Sequence, residues 1–175
     1  DIDSVPVYAT VNESANSIRI SYSFIFPYNG PKMVMGCIPS GQHFGDVEHI
    51  TVEVNRTSND LVRVYFGAHT GTEGRWVDAK DVLFEEERIV VFSALHSHAC
   101  YPQSGTAIRF GGFGNDLMNR GRKWEPYAIR LYSQNDPNFK SERDGWMYFA
   151  GRIGFDGVTS ISDKDYFNQG DSETN

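Results

Sequence analysis

Asp46-Val47-Glu48-His49-Ile50-Thr51-Val52-Glu53-Val54 is the stretch whose reading decides the fold. Extended chain sends successive side chains to opposite sides. Asp46, Glu48, Ile50, Val52 and Val54 therefore share one face, and Val47, His49, Thr51 and Glu53 the other. The first face is apolar from Ile50 onwards and carries carboxylates at its head. A carboxylate withdrawn from water is costly unless it is paired, hydrogen-bonded or bound to a cation. The stretch reads as a core strand that ends in a polar site. A second segment repeats the pattern. In Val90-Val91-Phe92-Ser93-Ala94-Leu95-His96-Ser97-His98, alternation predicts that His96 and His98 continue the face of Val90, Phe92 and Ala94. Acids on one strand end and imidazoles on another imply one buried polar site, and a divalent cation is its simplest occupant.

Outward from this strand, the chain is rich in strand signals and poor in helical periodicity. Ile18 to Phe26 places Ile18, Ile20, Tyr22, Phe24 and Phe26 on one face, and Pro27-Tyr28-Asn29-Gly30-Pro31 ends it with turn chemistry. Asn55 to Asn59 is a turn, and Leu61 to Phe66 returns as a hairpin partner. Arg75-Trp76-Val77, Arg88 to Leu95, Lys123 to Tyr132 and Trp146 to Ile153 complete the strands. Asp78 to Glu87 reads as a loop or short helix, and Gly105 to Gly121 as a long loop. Strands separated by Gly, Pro and Asn turns predict an all-β, single-domain antiparallel β-sandwich with long loops. The expected domain spans residues 1–162, followed by a polar, mobile tail over 163–175.

Composition agrees. The chain has 175 residues, enough for one domain with a sizeable core, and 12 Phe, 9 Tyr and 17 Gly favour strands and turns. Net charge is −7, and the one basic cluster is Arg120, Arg122 and Lys123, which argues against nucleic acid as a partner. No apolar run approaches the roughly 18 residues needed to cross a bilayer as a helix. The chain starts at Asp1 without a signal peptide, as a processed product or a cut-out domain would. Cys37 and Cys100 each lie near one half of the polar constellation; a bridge and two free thiols are both open. Asn12-Glu13-Ser14 and Asn55-Arg56-Thr57 match the N-glycosylation pattern and permit secretion without establishing it.

Taken singly, the site motifs have plain readings. His43, Asp46 and Glu48 match no standard zinc or EF-hand spacing, and alone they describe a turn and a strand end with solvated acids. His96 or His98 alone reads as a core-edge histidine bonded to a backbone carbonyl. Gly111-Gly112-Phe113-Gly114-Asn115-Asp116 lacks the Lys-Ser/Thr of a phosphate loop and reads as a turn. No Gly-x-Ser-x-Gly elbow is present. Trp76, Trp124 and Trp146 could line a groove or simply fill the core. The two segments together favour a site of mixed carboxylate and imidazole donors, suited to Mg²⁺, Ca²⁺ or Mn²⁺, or to zinc with an open position.

These motifs resemble two families. His43-Phe44-Gly45-Asp46-Val47-Glu48-His49, Gly74-Arg75-Trp76-Val77 and Leu95-His96-Ser97-His98-Ala99-Cys100-Tyr101-Pro102 look like the vacuolar protein sorting-associated 62 family. Phe26-Pro27-Tyr28-Asn29-Gly30-Pro31 is similar to its early turn, and Gly151-Arg152-Ile153-Gly154 to a late motif. Val47 and Ile153 stand where that family favours Trp. More distantly, the same motifs resemble the necrosis- and ethylene-inducing-protein-like cytolysins. Those are secreted β-sandwiches that hold a divalent cation and bind sphingolipid headgroups. That resemblance implies metal-site residues at Asn29, His43, Asp46, Glu48 and His96. Asn29 replaces an acid, which implies weaker cation binding. Gly45 and Val47 replace a His and a Trp of the cytolysin heptapeptide.

Three functions follow as expectations. The first is a secreted, Ca²⁺- or Mg²⁺-binding β-sandwich that binds a membrane glycolipid headgroup or glycan, as a toxin, a toxin domain or a lectin-like glycoprotein. The second is a metal-dependent hydrolase with Glu48 or His98 as general base. The third is an interaction domain in which the cation only braces strand ends.

Overall fold

A computed structural model of the chain describes residues 5–131 apart from 35 and 70. The strand expected over Trp146 to Ile153, the Gly151–Gly154 motif and the tail over 163–175 lie outside the described residues. Nearly all regular structure is strand, as the alternation predicts. The large sheet is built from β1 (Val7–Glu13), β2 (Ser17–Asn29), β5 (His43–Asn55), β6 (Leu61–Phe66), β7 (Arg75–Asp78) and β14 (Ile129–Leu131). Its order is β14-β1-β2-β5-β6-β7. Each neighbouring pair is antiparallel except β1 and β14, which run parallel, so the sheet is mixed rather than purely antiparallel.

The remaining strands form short ribbons. β3 (Lys32–Val34) pairs with β4 (Ile38–Ser40), and β8 (Phe84–Glu85) with β9 (Arg88–Ile89). β10 (Phe92–Ser93) pairs with β11 (Cys100–Tyr101), and β12 (Gly105–Ala107) with β13 (Asp116–Met118). Among the described residues, every strand outside the large sheet belongs to one of these two-stranded ribbons. The segment Arg88 to Leu95 is thus two short strands, not one. Gly105 to Gly121 is a hairpin with a long tip rather than a loop, and Lys123 to Tyr127 is not strand. β1 was not anticipated from the sequence.

The core lies where β5 and β6 meet the ribbons. Ile50, Val52, Val64 and Phe66 from the sheet pack with Val82 and Cys100, and Tyr22, Phe24, Ile89 and Val91 surround them. A second cluster joins Ala68, Phe92, Ala94, Ala99 and Met118. The two clusters are tied through Gly67. Its N–H donates to the His49 carbonyl at 3.0 Å, and its own carbonyl accepts from Cys100 N–H at 2.9 Å.

Both faces of β5 are buried from Asp46 to Glu53, including the face with Val47, His49, Thr51 and Glu53. Glu53 is tolerated there because Arg19 and Arg63 both donate to its Oε2, at 2.9 and 3.1 Å. The guanidinium carbons of Arg19 and Arg63 lie 5.7 and 4.3 Å from the Trp76 ring centroid. A cation over an indole face is favourable, so the three charges and the ring stabilise one another.

β2 runs through Pro27 and ends only at Asn29, later than its turn chemistry predicts. Pro27 lacks the N–H a ladder needs. It falls opposite Gly45, in the left-handed region at φ 72°, and the register passes from Phe26↔Asp46 directly to Tyr28↔Phe44. That irregularity is local, because Asn29 pairs with His43 in the same register.

A candidate cation site and its buried anchor

The head of β5 faces the end of β2. Asp46 and Glu48 are 3% and 4% exposed, as buried as the core valines that follow them on the strand. Their cross-strand partners are Phe26 and Phe24. Further along, Asn29 Nδ2 donates to His43 Nε2 at 2.9 Å, and the His43 Nδ1 proton goes to the Gly45 carbonyl at 2.9 Å. A neutral imidazole has one donor and one acceptor, so the bond to Gly45 assigns the proton to Nδ1 and makes Nε2 the acceptor. The Asn29 amide must then turn its NH2 to His43. Its Oδ1 is left buried without a hydrogen-bond partner among the described residues.

The histidines do not continue a strand. β10 stops at Ser93 and residues 95–97 form a turn, closed by His98 N–H to the Ala94 carbonyl at 3.0 Å and by Ala94 N–H to the Ala99 carbonyl at 2.9 Å. His96 and His98 both sit in the left-handed region, at φ 72° and 56°. Alternation fails as a guide here, because left-handed residues reverse the chain. The turn nevertheless lands on the predicted place. His98 Nδ1 donates to Asp46 Oδ2 at 3.0 Å, and its ring stacks on Phe26 with centroids 4.0 Å apart and planes 6° apart. His96 is exposed, and its carbonyl accepts from Gly30 N–H at 3.1 Å. Its ring lies so close to Gly30 that a Cβ there would meet Nδ1 at 2.5 Å. Asn29, His43, Asp46 and His98 are thus linked in pairs, with His96 seated on the residue after Asn29. Among the described residues, no three His, Cys, Asp or Glu side chains converge as a ready-made metal site.

Cys37 and Cys100 are unbridged, the first exposed on the β3–β4 ribbon and the second buried. Burial, and then the charges of Glu48 and Asp46, push the Cys100 thiol well up. A protonated buried thiol is a poor nucleophile. Iodoacetamide at neutral pH should therefore modify Cys37 alone in the folded protein, and both cysteines after denaturation, as read by mass spectrometry. Absence of any adduct in the denatured, unreduced chain would show a bridge instead. Asn12 and Asn55 are both exposed, and the Asn55 side chain accepts from Thr57 and Ser58 N–H at 2.9 and 3.1 Å.

Sequence reasoning missed a second polar cluster. Asp116 is fully buried and accepts from four side chains. Its Oδ2 takes His69 Nε2 at 2.6 Å and the Tyr101 hydroxyl at 2.7 Å; its Oδ1 takes Ser97 Oγ at 3.0 Å and the Lys32 ammonium. Burial alone would raise the Asp116 pKa, but the bonds from His69, Lys32 and Tyr101 outweigh it and hold the carboxyl well below the usual range. Burial, and then the bond to Asp116, push the Tyr101 hydroxyl above its usual value. His69 is also left-handed, at φ 42°. The burial of Asp116 and Met118 either side of exposed Leu117 spans only three residues, too short a pattern for the sequence to signal.

An all-β domain whose two central strands end in buried carboxylates beside half-buried imidazoles and an amide is the class these features define. The chain belongs to the vacuolar protein sorting-associated protein 62 family, which it matches over residues 1–124. It is 26% identical to the putative vacuolar protein sorting-associated protein TDA6 of Saccharomyces cerevisiae, over 85% of this chain and 37% of that protein, so it spans little more than a third of that relative. Among solved structures it is similar to NLPPya in complex with glucosamine, with 16% identity, a TM-score of 0.49, and coverage of 74% of this chain and 53% of that one. It is also similar to the non-toxic HaNLP3 protein, with 16% identity, a TM-score of 0.42, and coverage of 74% and 52%.

Proposed function

We propose that this domain binds a divalent cation, Ca²⁺ or Mg²⁺, where the His96–His98 turn meets β2 and β5, and uses it to engage a glycan or the sugar headgroup of a membrane glycolipid. The reading extends to a secreted, toxin-like or lectin-like role. The observation that carries it is the buried Asn29 Oδ1, which has no hydrogen-bond partner among the described residues and is held in that orientation by His43. A buried acceptor left unmade costs roughly 1–3 kcal/mol, and a hard cation would satisfy it. Asn29, Asp46 and Glu48 would supply oxygen donors. His43 would act by fixing the Asn29 amide, and His98 by holding Asp46. His96, exposed beside Gly30, would stand at the open side. The ion would supply a Lewis-acidic centre for sugar hydroxyls.

The donors are gathered in pairs rather than caged, so binding should be weak. Thermal melting in EDTA and then in Ca²⁺ or Mg²⁺, on wild type and Asp46→Asn, tests the ion. A saturating cation at about 100 times its Kd should stabilise the fold by roughly 2.7 kcal/mol, and the variant should lose that response. Liposome and glycan binding with and without the ion tests the ligand. No shift with any cation would overturn the reading. A shift without cation-dependent sugar binding would reduce the ion to a structural brace.

A further inference from the structure

Asp116 touches none of the candidate donors, yet it grips both chain segments that carry them. Lys32 lies three residues beyond Asn29 on the strand that leaves the site, and Ser97 stands between His96 and His98. Ser97 is itself only 2% exposed, and its hydroxyl points to Asp116 Oδ1. Beside that bond, Leu95 N–H donates to the Leu117 carbonyl at 2.9 Å, so the histidine turn is fastened to β13 by backbone as well as side chain. Among the described residues, three of the five non-glycine residues at positive φ are His69, His96 and His98, all on segments that meet at Asp116. Such backbone persists only where its surroundings over-determine it. No extended ladder does so here, because β3, β10, β11 and β13 are two or three residues long.

We infer that Asp116 is the positioning residue of the candidate site: through Ser97 and Lys32 it sets the histidine turn and the end of β2 against each other, so that His98 meets Asp46 before any ion arrives. The inference rests on the proposed cation site for its consequence, but not for its geometry. Outer contacts of this kind typically alter metal affinity by roughly 10–100-fold when removed.

The test is Ser97→Ala, with Ser97→Thr as the variant that keeps the hydroxyl. The readout is the His98 imidazole in ¹H–¹⁵N spectra recorded without added cation or sugar. Wild type should show a protected Nδ1 proton bonded to Asp46 and ring shifts from stacking on Phe26. Ser97→Ala should lose both while Ser97→Thr restores them, and Ca²⁺ or Mg²⁺ affinity should fall by roughly 10–100-fold in the alanine variant. A role in stability alone would lower the melting temperature and leave the His98 spectrum as in wild type, which would overturn the inference. Should Ser97→Ala not fold, Lys32→Met removes the other donor through which Asp116 acts, and an unchanged His98 spectrum there would overturn it equally. A changed His98 spectrum in a protein whose wild type shows no cation response would sink the proposed function and leave the positioning role standing.

Discussion

Asp116→Asn is expected to destabilise the protein by about 3–5 kcal/mol, the range for removing one partner of a buried ion pair. The asparagine is close in shape but brings no charge, and its NH2 would face a donor. Lys32 then loses its counter-ion. The Lys32 side chain is 19% exposed, so it can recover some hydration, which places the effect towards the lower end. Urea unfolding read by tryptophan fluorescence measures it. Adding Lys32→Met should recover part of the loss, because the ammonium is then no longer stranded. A single-variant loss under about 1 kcal/mol would mean that the network is bystander structure, within the range of ordinary surface changes.

The pH dependence has a definite sign. The folded Asp116 pKa lies below its unfolded value, near 3.9, so its contribution is complete above that pH. It is lost as pH falls through the lower folded value. Wild type should therefore show an acid-destabilised limb below about pH 4 that is reduced in Asp116→Asn. Tyr101 works at the other end. Its folded pKa is raised, so its contribution is intact below the usual tyrosine value of about 10 and is lost as pH rises through the folded pKa. Tyr101→Phe should flatten the alkaline limb and, because one of the bonds that hold Asp116 ionised is lost with it, reduce the acid limb in part.

Gly67→Ala should cost about 3 kcal/mol, the upper end of what overpacking usually does. An added Cβ would lie 2.5 Å from His49 Cε1, 2.6 Å from His49 Nδ1 and 2.8 Å from the His49 carbonyl oxygen. A ring can swing aside, but the carbonyl cannot. It accepts the Gly67 N–H, and the Gly67 carbonyl in turn receives Cys100 N–H. Moving either strand breaks the backbone step between the large sheet and the β10–β11 ribbon. Calorimetry should show a lower melting temperature, with weakened amide-exchange protection at Gly67 and Cys100. Melting as in wild type would mean that β5 and β6 can separate without cost. Gly36, with open space around it, differs in kind: its φ of 75° makes a substitution strained, but nothing collides.

The legibility of the chain divides along physical lines. β2, β5 and β6 could be read because each carries an alternating row of apolar side chains that packs in or against one core, so local pattern and tertiary packing agree. The meeting of Asp46 with a histidine of the second segment was legible for the same reason: a buried acid has to find a partner. Which histidine was not legible. His96 and His98 lie in left-handed conformations that no period-two pattern anticipates, and the turn they form exposes one ring and delivers the other. β1 was hidden because Val11, Asn12 and Glu13 are exposed and dilute its signal. The Asp116 network was hidden for a deeper reason. Its members, Lys32, His69, Ser97, Tyr101 and Asp116, are scattered along the chain with no spacing that relates them. Only the folded chain brings them together. The parallel pairing of β14 with β1 likewise leaves no mark on local pattern.

That parallel edge has a bearing on how the chain assembles on the ribosome. β1 and β2, β5 and β6, and β6 and β7 are neighbours in sequence as well as in space, and β2 joins β5 across a small hairpin. A meander of this kind can zip up as it is synthesised. Val7, Tyr8 and Ala9 must instead wait for Ile129, Arg130 and Leu131, their partners at the far end of the described chain. Closing so large a loop is slow, and an edge kept waiting is a template for other strands. Nascent chains halted between β7 and β14 should therefore be the species most prone to sticking to one another, and the ones a chaperone would have most reason to hold.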